Sequence, residues 1–544
     1  MHVPVRKLLA SALLLSPTGA QGDPESCPLE VQQVIPPSSF TNTWGYVALD
    51  GDVAVLGTPN DTTLGPGAGS VQVYRRSGPG WVHEQTLWGA DTGPYDLLGS
   101  SVAVEGGRIV AGAAQNEFTN VKGPGAVYVF EHGPAGWVET QKLAVAGSLG
   151  DAFGFRVALA GDLIAVSALG EDELLPVLLD TGAVYTFELE QGLWIEKQRL
   201  TAFDNQAFLR FGRGLATDGA TLAVGTASAT GLLPFDGAVY AYARDAAGTW
   251  VLEGKLIAPN SSVGGLGWDV DVEGDRLAAG APESNELALD GGAVHLFERR
   301  AGAWTWETRL DPPDSMQGDF LGRTVSLDGE RVAAGAPGRD EGGLFVGGKG
   351  IAFLFARVGG TWTSQPGFTG GDTVQSDDFG SGLALDGDRL FASAPGWDGA
   401  GFPPPGAGYL FDLVQPYASY GQGLAGSGGW TPELAGSGCP SFTTNGAVAV
   451  TGGLGGAPGV LALAAQPASA PFLGGELLVA PPAALFDHVL GGPGGAPGAG
   501  SFTLSVPIPS PGLAGVTAYF QAFYLDPGAA SGVALSAGLA LTVL

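Results

Sequence analysis

Seven times along the chain a glycine precedes a short alternating apolar run, a turn and a second apolar run. The copies are WGYVALDGDVAVLGTP from Trp44, LGSSVAVEGGRIVAGAA from Leu98, FGFRVALAGDLIAVSAL from Phe153, FGRGLATDGATLAVGTA from Phe211, LGWDVDVEGDRLAAGAP from Leu266, LGRTVSLDGERVAAGAP from Leu321 and FGSGLALDGDRLFASAP from Phe379. Their anchor glycines, Gly45, Gly99, Gly154, Gly212, Gly267, Gly322 and Gly380, lie 54, 55, 58, 55, 55 and 58 residues apart. So constant a period means one supersecondary unit used seven times. Such units bury their apolar faces only against one another.

Each unit reads as four strands. The first two are joined at Asp-Gly, Glu-Gly or Ala-Gly, a hairpin signal because these residues tolerate the left-handed angles of a tight turn. A third strand follows a looser loop, as in GAVYVFEH from Gly125 and GAVHLFER from Gly292. A fourth starts at a tryptophan, Trp81, Trp137, Trp194, Trp250, Trp304 or Trp362, and this register places the indoles for packing between units. The seventh unit has no such strand, because Gly406 to Leu413 runs into VQPYASYGQG. The missing piece stands at the other end of the chain, where Glu30 to Ile35 has the character of Glu139 to Leu143. A ring whose last unit borrows an N-terminal strand leaves no edge exposed, whereas an open solenoid would need atypical caps and would leave the split unit unexplained. The sequence predicts an all-β chain with a seven-bladed β-propeller over 28–415, closed by an N-terminal strand. From 416 to 544 the repeat ends, and Gly-, Ala- and Leu-rich segments between Gly/Pro turns predict a small β-sandwich of about eight strands.

The pieces Phe153-Gly154, Phe211-Gly212, Phe379-Gly380, Gly280-Ala281-Pro282 and Gly335-Ala336-Pro337 resemble the FG-GAP repeat family. The resemblance spans about 28–415 and is to integrin α-chain heads, which implies a secreted or surface-exposed adhesive scaffold. It also raises calcium binding between the first two strands. Here that place holds only LDGD or LDGE, at Leu49 to Asp52, Leu385 to Asp388 and Leu327 to Glu330. Calcium wants six to eight oxygens, so these acids read as solvated turn residues and no cofactor is expected. The segments SYGQGLAGSGGWTPELAGSGCP and GLAGVTAYFQAFYLDPGAASGVALSAGLAL are similar to a C-terminal domain frequent in secreted planctomycete-type bacterial proteins, which implies a role in surface display or sorting.

Residues 1–22 read as a signal peptide: Arg6 and Lys7, the apolar run Leu8 to Leu15, then small residues that permit cleavage after Ala20 or Gly22. No later run is long and apolar enough to span a bilayer, so the chain is expected to be secreted, extracellular or held at the cell surface. Once Arg6 and Lys7 are removed, 22 basic residues face 54 acidic ones. That field repels nucleic acid and anionic membranes and leaves an extracellular protein or glycan as the expected partner.

Catalytic material is sparse. His83, His132, His295 and His488 are scattered over a fourth strand, a turn, a third strand and the C-terminal part, and no metalloprotease, serine-elbow or phosphate-loop motif occurs. The chain is read as a non-enzymatic binding or adhesion scaffold. An extracellular hydrolase or lyase using loop carboxylates and a purely structural surface component are the alternatives. The variable loops between second and third strands should emerge on one face and form the ligand surface. Two of them are acid-dense, which makes Glu171, Asp172, Glu173, Asp340 and Glu341 the candidate ligand-face residues. The only cysteines, Cys27 and Cys439, flank the closure, and in an oxidising compartment they are expected to form a disulfide, with buried thiols or intermolecular pairing as alternatives.

Overall fold

The computed structural model describes residues 27–36, 46–115, 123–147, 150–174, 177–226, 237–259, 264–340, 348–397, 406–414, 417–437, 446–473, 475–480, 484–506, 516–529 and 532–543. Between 27 and 414 the strands form seven four-stranded antiparallel sheets, the blades of a propeller. Blade 1 consists of Val47–Asp50, Val53–Thr58, Ser70–Ser77 and Gly80–Leu87. The first strands of blades 2 to 7 are Leu98–Glu105, Phe153–Ala160, Leu215–Thr217, Val270–Glu273, Thr324–Asp328 and Gly382–Asp386. Each lies against the next, and the seventh lies against Val47–Asp50, so the first strands line the axis of a closed ring.

Second strands such as Val53–Thr58 are buried along their whole length, because neighbouring blades cover both faces. The tryptophans join the blades as their register predicts. Trp137 packs with Val53 and Val55 of blade 1, Trp194 with Val110 and Val129 of blade 2, and Trp250 with Leu163 and Ala165 of blade 3. The repeated glycines have a common cause in backbone approach. A Cβ at Gly225 would overlap the carbonyl oxygen of Gly267 on the next blade, and Gly267 itself adopts φ +87°. The same stacking occurs for Gly112 on Gly154 and Gly280 on Gly322.

Closure follows the sequence expectation, with the strand running from Cys27 to Val34 rather than from Glu30 to Ile35. The opening strand Cys27–Val34 pairs antiparallel with Ala407–Val414, with Pro28 opposite Leu413 and Val34 opposite Gly408. Its register slips between Glu30 and Gln32, as the blade 2 fourth strand slips between Glu139 and Gln141. Gln85, Gln141 and Gln198 each clamp the backbone of the next blade's tryptophan, donating to its carbonyl and accepting from its N–H. Gln32 does the same to Trp81, at 2.7 and 2.6 Å. Glu30 accepts the Gly371 N–H as Glu139 accepts that of Ala90.

The hairpin turns at the other end of the first strands are engaged too. Asp50, Glu105, Asp218, Glu273 and Asp386 accept the turn N–H of the following blade, from Gly106, Gly161, Gly274, Gly329 and Gly51 at 2.5–2.8 Å. Arginines after the turns reach the next blade as well, pairing Arg108 with Asp162, Arg276 with Glu330, Arg331 with Asp388 and Arg389 with Asp52. The LDGD and LDGE acids are therefore inter-blade clamps rather than merely solvated turn residues.

From 417 onward eleven strands are described, against the eight expected, arranged as a six-stranded sheet, a three-stranded sheet and a two-stranded ribbon. Val448 and Val450 of the three-stranded sheet pack with Leu461, Phe520, Ala522, Leu539 and Leu541 of the larger one, which makes this unit the expected sandwich. His488 is absorbed by it, stacked on Phe502 and hydrogen-bonded to the Tyr524 hydroxyl. Among the propeller histidines, His132 falls inside the strand Ala126–Gly133 rather than in a turn.

The expected Cys27–Cys439 disulfide requires correction. Cys27 is fully buried at the head of the opening strand and no free thiol occurs among the described residues, but Cys439 lies outside them. No Sγ–Sγ pair at bonding distance stands between two described residues, so the bonding partner of Cys27 lies outside them.

Candidate functional site at the axial mouth

Among the described residues of the acid-dense loops, Glu171 and Asp172 are engaged within their own blade. Glu171 is turned onto its own blade, where it accepts the Tyr185 hydroxyl at 2.9 Å and pairs with Arg199 at 2.6 Å. This is a variant of a lock found in other blades, where Tyr128 and Lys142 meet on Asp91 and Tyr240 and Lys255 on Asp204. Asp172 accepts the Asp180 N–H and so shapes its own loop. Glu173 lies in the ribbon strand Glu173–Leu174, Asp340 is half-buried, and Glu341 lies outside the described residues. Local acid density here reflects loop construction, because Glu171 and Asp172 are already engaged within their own blade.

A different set converges on the axis. Each anchor glycine is followed by a residue that enters the top of a first strand: Tyr46, Ser100, Phe155, Arg213, Trp268, Arg323 and Ser381. Arg156 follows Phe155, and Asp269 follows Trp268. The Arg156 guanidinium lies 4.5 Å from the Tyr46 ring centre on blade 1 and 3.5 Å from the Asp269 carboxylate on blade 5. Contacts from blade 3 to blades 1 and 5 can be made only across the axis. Arg213 covers Trp268 at 3.8 Å and approaches Phe155 at 5.2 Å, and Arg323 lies 4.4 Å from Trp268. Cation–π contact of this kind fixes the guanidinium planes, and for Arg213 it leaves the N–H edge turned away from the rings.

Burial makes the electrostatics unusual. Arg156, Arg213 and Trp268 are each under 10% exposed. Burial, with Arg156 and Arg323 alongside, holds Arg213 down to about 9. Burial would push the Tyr46 phenol up, but the three guanidiniums together pull it below its ordinary value. Asp269 is raised by burial against the pull of Arg156 and Arg213. Two loop acids border the same place: burial raises Glu283 and Asp378, the latter to about 6, and Arg323 lowers both. Glu283 belongs to the loop between second and third strands of blade 5, so the mouth opens on the loop-bearing face expected to carry the ligand.

Asp269 also has a structural task. With Asp271 and Glu273 it forms a side-chain ladder that accepts the Val325, Leu327 and Gly329 N–H groups of blade 6. The first strand of a blade has an unpaired edge at the axis, and such ladders satisfy it. Arg213 is left with no hydrogen-bond acceptor or carboxylate partner for its guanidinium among the described residues, although a buried unpaired charge costs several kcal/mol. No group of three or more His, Cys, Asp or Glu placed to hold a metal occurs among the described residues. The arrangement can bind and orient an anionic group. The column of residues after the anchor glycines, Tyr, Ser, Phe, Arg, Trp, Arg, Ser, is the sequence signal that points to it.

The family model for the FG-GAP repeat matches residues 81–130, 137–187 and 304–355. Each match begins at the tryptophan of one blade's fourth strand and ends in the third strand of the next, so the sequence unit contains the inter-blade seam rather than one blade. No curated protein matches the chain. The closed ring is a seven-bladed β-propeller, and three of its seams, those of blades 1 to 2, 2 to 3 and 5 to 6, match the FG-GAP repeat.

Proposed function

We propose that this chain is an exported, non-enzymatic binding scaffold that receives an extracellular protein or glycan partner over the axial mouth. The observation that carries the reading is the convergence of Arg156, Arg213 and Arg323 on aromatic faces at the loop-bearing end of the ring, with Asp269 in ion-pair contact with Arg156. FG-GAP propellers are typical of adhesion and scaffold domains without catalytic roles, and the likeness to integrin α-chain heads supports the adhesive form. The leader-like residues 1–22 and the lack of any helix long and apolar enough to cross a membrane among the described residues agree with export. Residues 28–415 act as the binding unit. Residues 416–544, without a single Lys or Arg, serve its display at the surface.

Binding of the secreted protein to a panel of matrix proteins and cell-wall glycans, with and without chelator, tests this reading. Saturable binding that Arg323→Ala removes and the hairpin-end variant Asp52→Ala leaves intact supports it. Equal binding by Arg323→Ala places the partner elsewhere, and turnover of a glycan would replace a scaffold with an enzyme.

A further inference from the structure

We infer that the axial mouth is a built carboxylate site, which takes a single carboxylate group presented by the partner. This rests on the scaffold reading and specifies what its surface recognises. Arg156, Arg213 and Arg323 bring their guanidiniums to the axis, where Arg156 pairs with Asp269 at 3.5 Å. Asp269 is itself shared with the Val325 N–H at 2.9 Å. Arg156 further spends its Nε on the Arg213 carbonyl at 3.1 Å. Arg213 spends none of its five donors on a described residue. Stacking on Trp268 and Phe155 fixes its plane, so a ligand must meet its N–H edge.

The surroundings select the ligand. A partner lysine or arginine would compete with the chain's own guanidiniums, which already lie over Tyr46, Phe155 and Trp268, and would be repelled by them. A polyanion is repelled by a net charge of −30 and by Glu283 and Asp378 at the rim. One planar carboxylate matches the guanidinium fork and brings only one negative charge past that rim. An acidic sugar and an acidic peptide side chain share this chemistry.

Titration of the full secreted chain, read by tryptophan fluorescence and calorimetry at constant ionic strength, separates the sources. The probes are glucuronate and N-acetylaspartate amide, with glucose, N-acetylasparagine amide, chloride and sulfate as controls. Saturable millimolar binding of one or both carboxylates, weakened about tenfold or more by Arg213→Gln and unchanged by Arg108→Gln at the hairpin end, is expected. Asp269→Asn should tighten binding by removing the competing carboxylate, a gain that misfolding cannot imitate. No saturation by either carboxylate, an equal response to chloride and sulfate, or unchanged binding by folded Arg213→Gln overturns the inference. If a panel partner binds at the mouth while the carboxylates neither bind nor compete, the inference fails and the scaffold reading stands. If the carboxylates bind and no panel partner does, the site stands and the scaffold reading fails.

Discussion

The two ends of the first strands are built from the same repeat and treat charge in opposite ways. At the hairpin end, acids and arginines find partners on the following blade, from Asp50 with Gly106 round to Asp386 with Gly51. At the glycine end, Arg213 is buried with no acceptor among the described residues, Arg323 shares its Trp268 indole, and Arg156 lies over the neighbouring Tyr46 phenol. Charge with a partner one blade away holds a ring together. Charge buried across the axis without enough counter-charge does not, and its retention is intelligible as recognition.

The largest perturbation should abolish the comparison altogether. Deleting residues 27–36 removes the fourth strand of blade 7, exposes the edge of Ala407–Val414 and frees Trp81 from Gln32. The expected outcome is loss of cooperative melting together with aggregation in size-exclusion chromatography, since an unpaired edge templates association. An unchanged melting profile would show that the ring is held by something other than this strand.

A single methyl group should come next. Gly267→Ala forces a side chain into φ +87°, with its Cβ 2.5 Å from the Ala238 carbonyl oxygen. Strain of this kind costs about 1–3 kcal/mol before the clash is counted, measurable as a lower urea midpoint. Ala at Gly106, whose Cβ would meet nothing within 4 Å, should cost less, although its φ of +58° is also left-handed. Equal costs would mean that seam contact contributes little.

These glycines explain how much of the molecule was legible in the sequence. Backbone-to-backbone contact tolerates one residue type, so every seam leaves a letter at a fixed spacing, and Glu30 and Gln32 declare the closing strand by copying Glu139 and Gln141. The mouth left a fainter mark, a column of unlike residues one place after the anchor glycines. Tyr46 and Arg213 are far apart in sequence, and each alone resembles an ordinary strand residue. The partners of Glu171 were illegible for the reverse reason. Its acidic neighbours are visible locally, but Tyr185 and Arg199, which occupy it, come from other strands.

Between the two ends, two buried groups give opposite pH signatures. His295, on a third strand, is held near 4 by burial and by Arg309. An unfolded chain therefore takes up a proton between about 6.5 and 4 that the fold refuses, and stability falls as pH drops through that window. Asp271, on an axial strand, is pushed up to about 7 by burial. The fold keeps its proton between about 3.8 and 7, so this contribution is lost as pH rises. His295→Phe places there the residue that blade 6 carries at the same register, Phe353, and should flatten the acid side. Asp271→Asn should flatten the neutral side. Each slope amounts to at most roughly 1.4 kcal/mol per pH unit in urea titrations.

The smallest effect separates the two ends most sharply, because it predicts opposite signs. Asp386→Ala removes the acceptor that joins blade 7 to the Gly51 N–H, a charge-assisted bond at a half-buried turn. It should lower stability by about 1 kcal/mol and leave binding at the mouth unchanged. Arg213→Gln instead removes a buried cation that has no hydrogen-bond acceptor or ion-pair contact among the described residues, and keeps much of its volume. Replacing such a charge by a neutral group is often neutral or stabilising, so the urea midpoint should hold or rise while ligand binding is lost. The paired result identifies one end as structural and the other as functional. If Arg213→Gln destabilises as Asp386→Ala does, the arginine is a strut in the packing of Trp268 and Phe155, and the distinction between the two ends collapses.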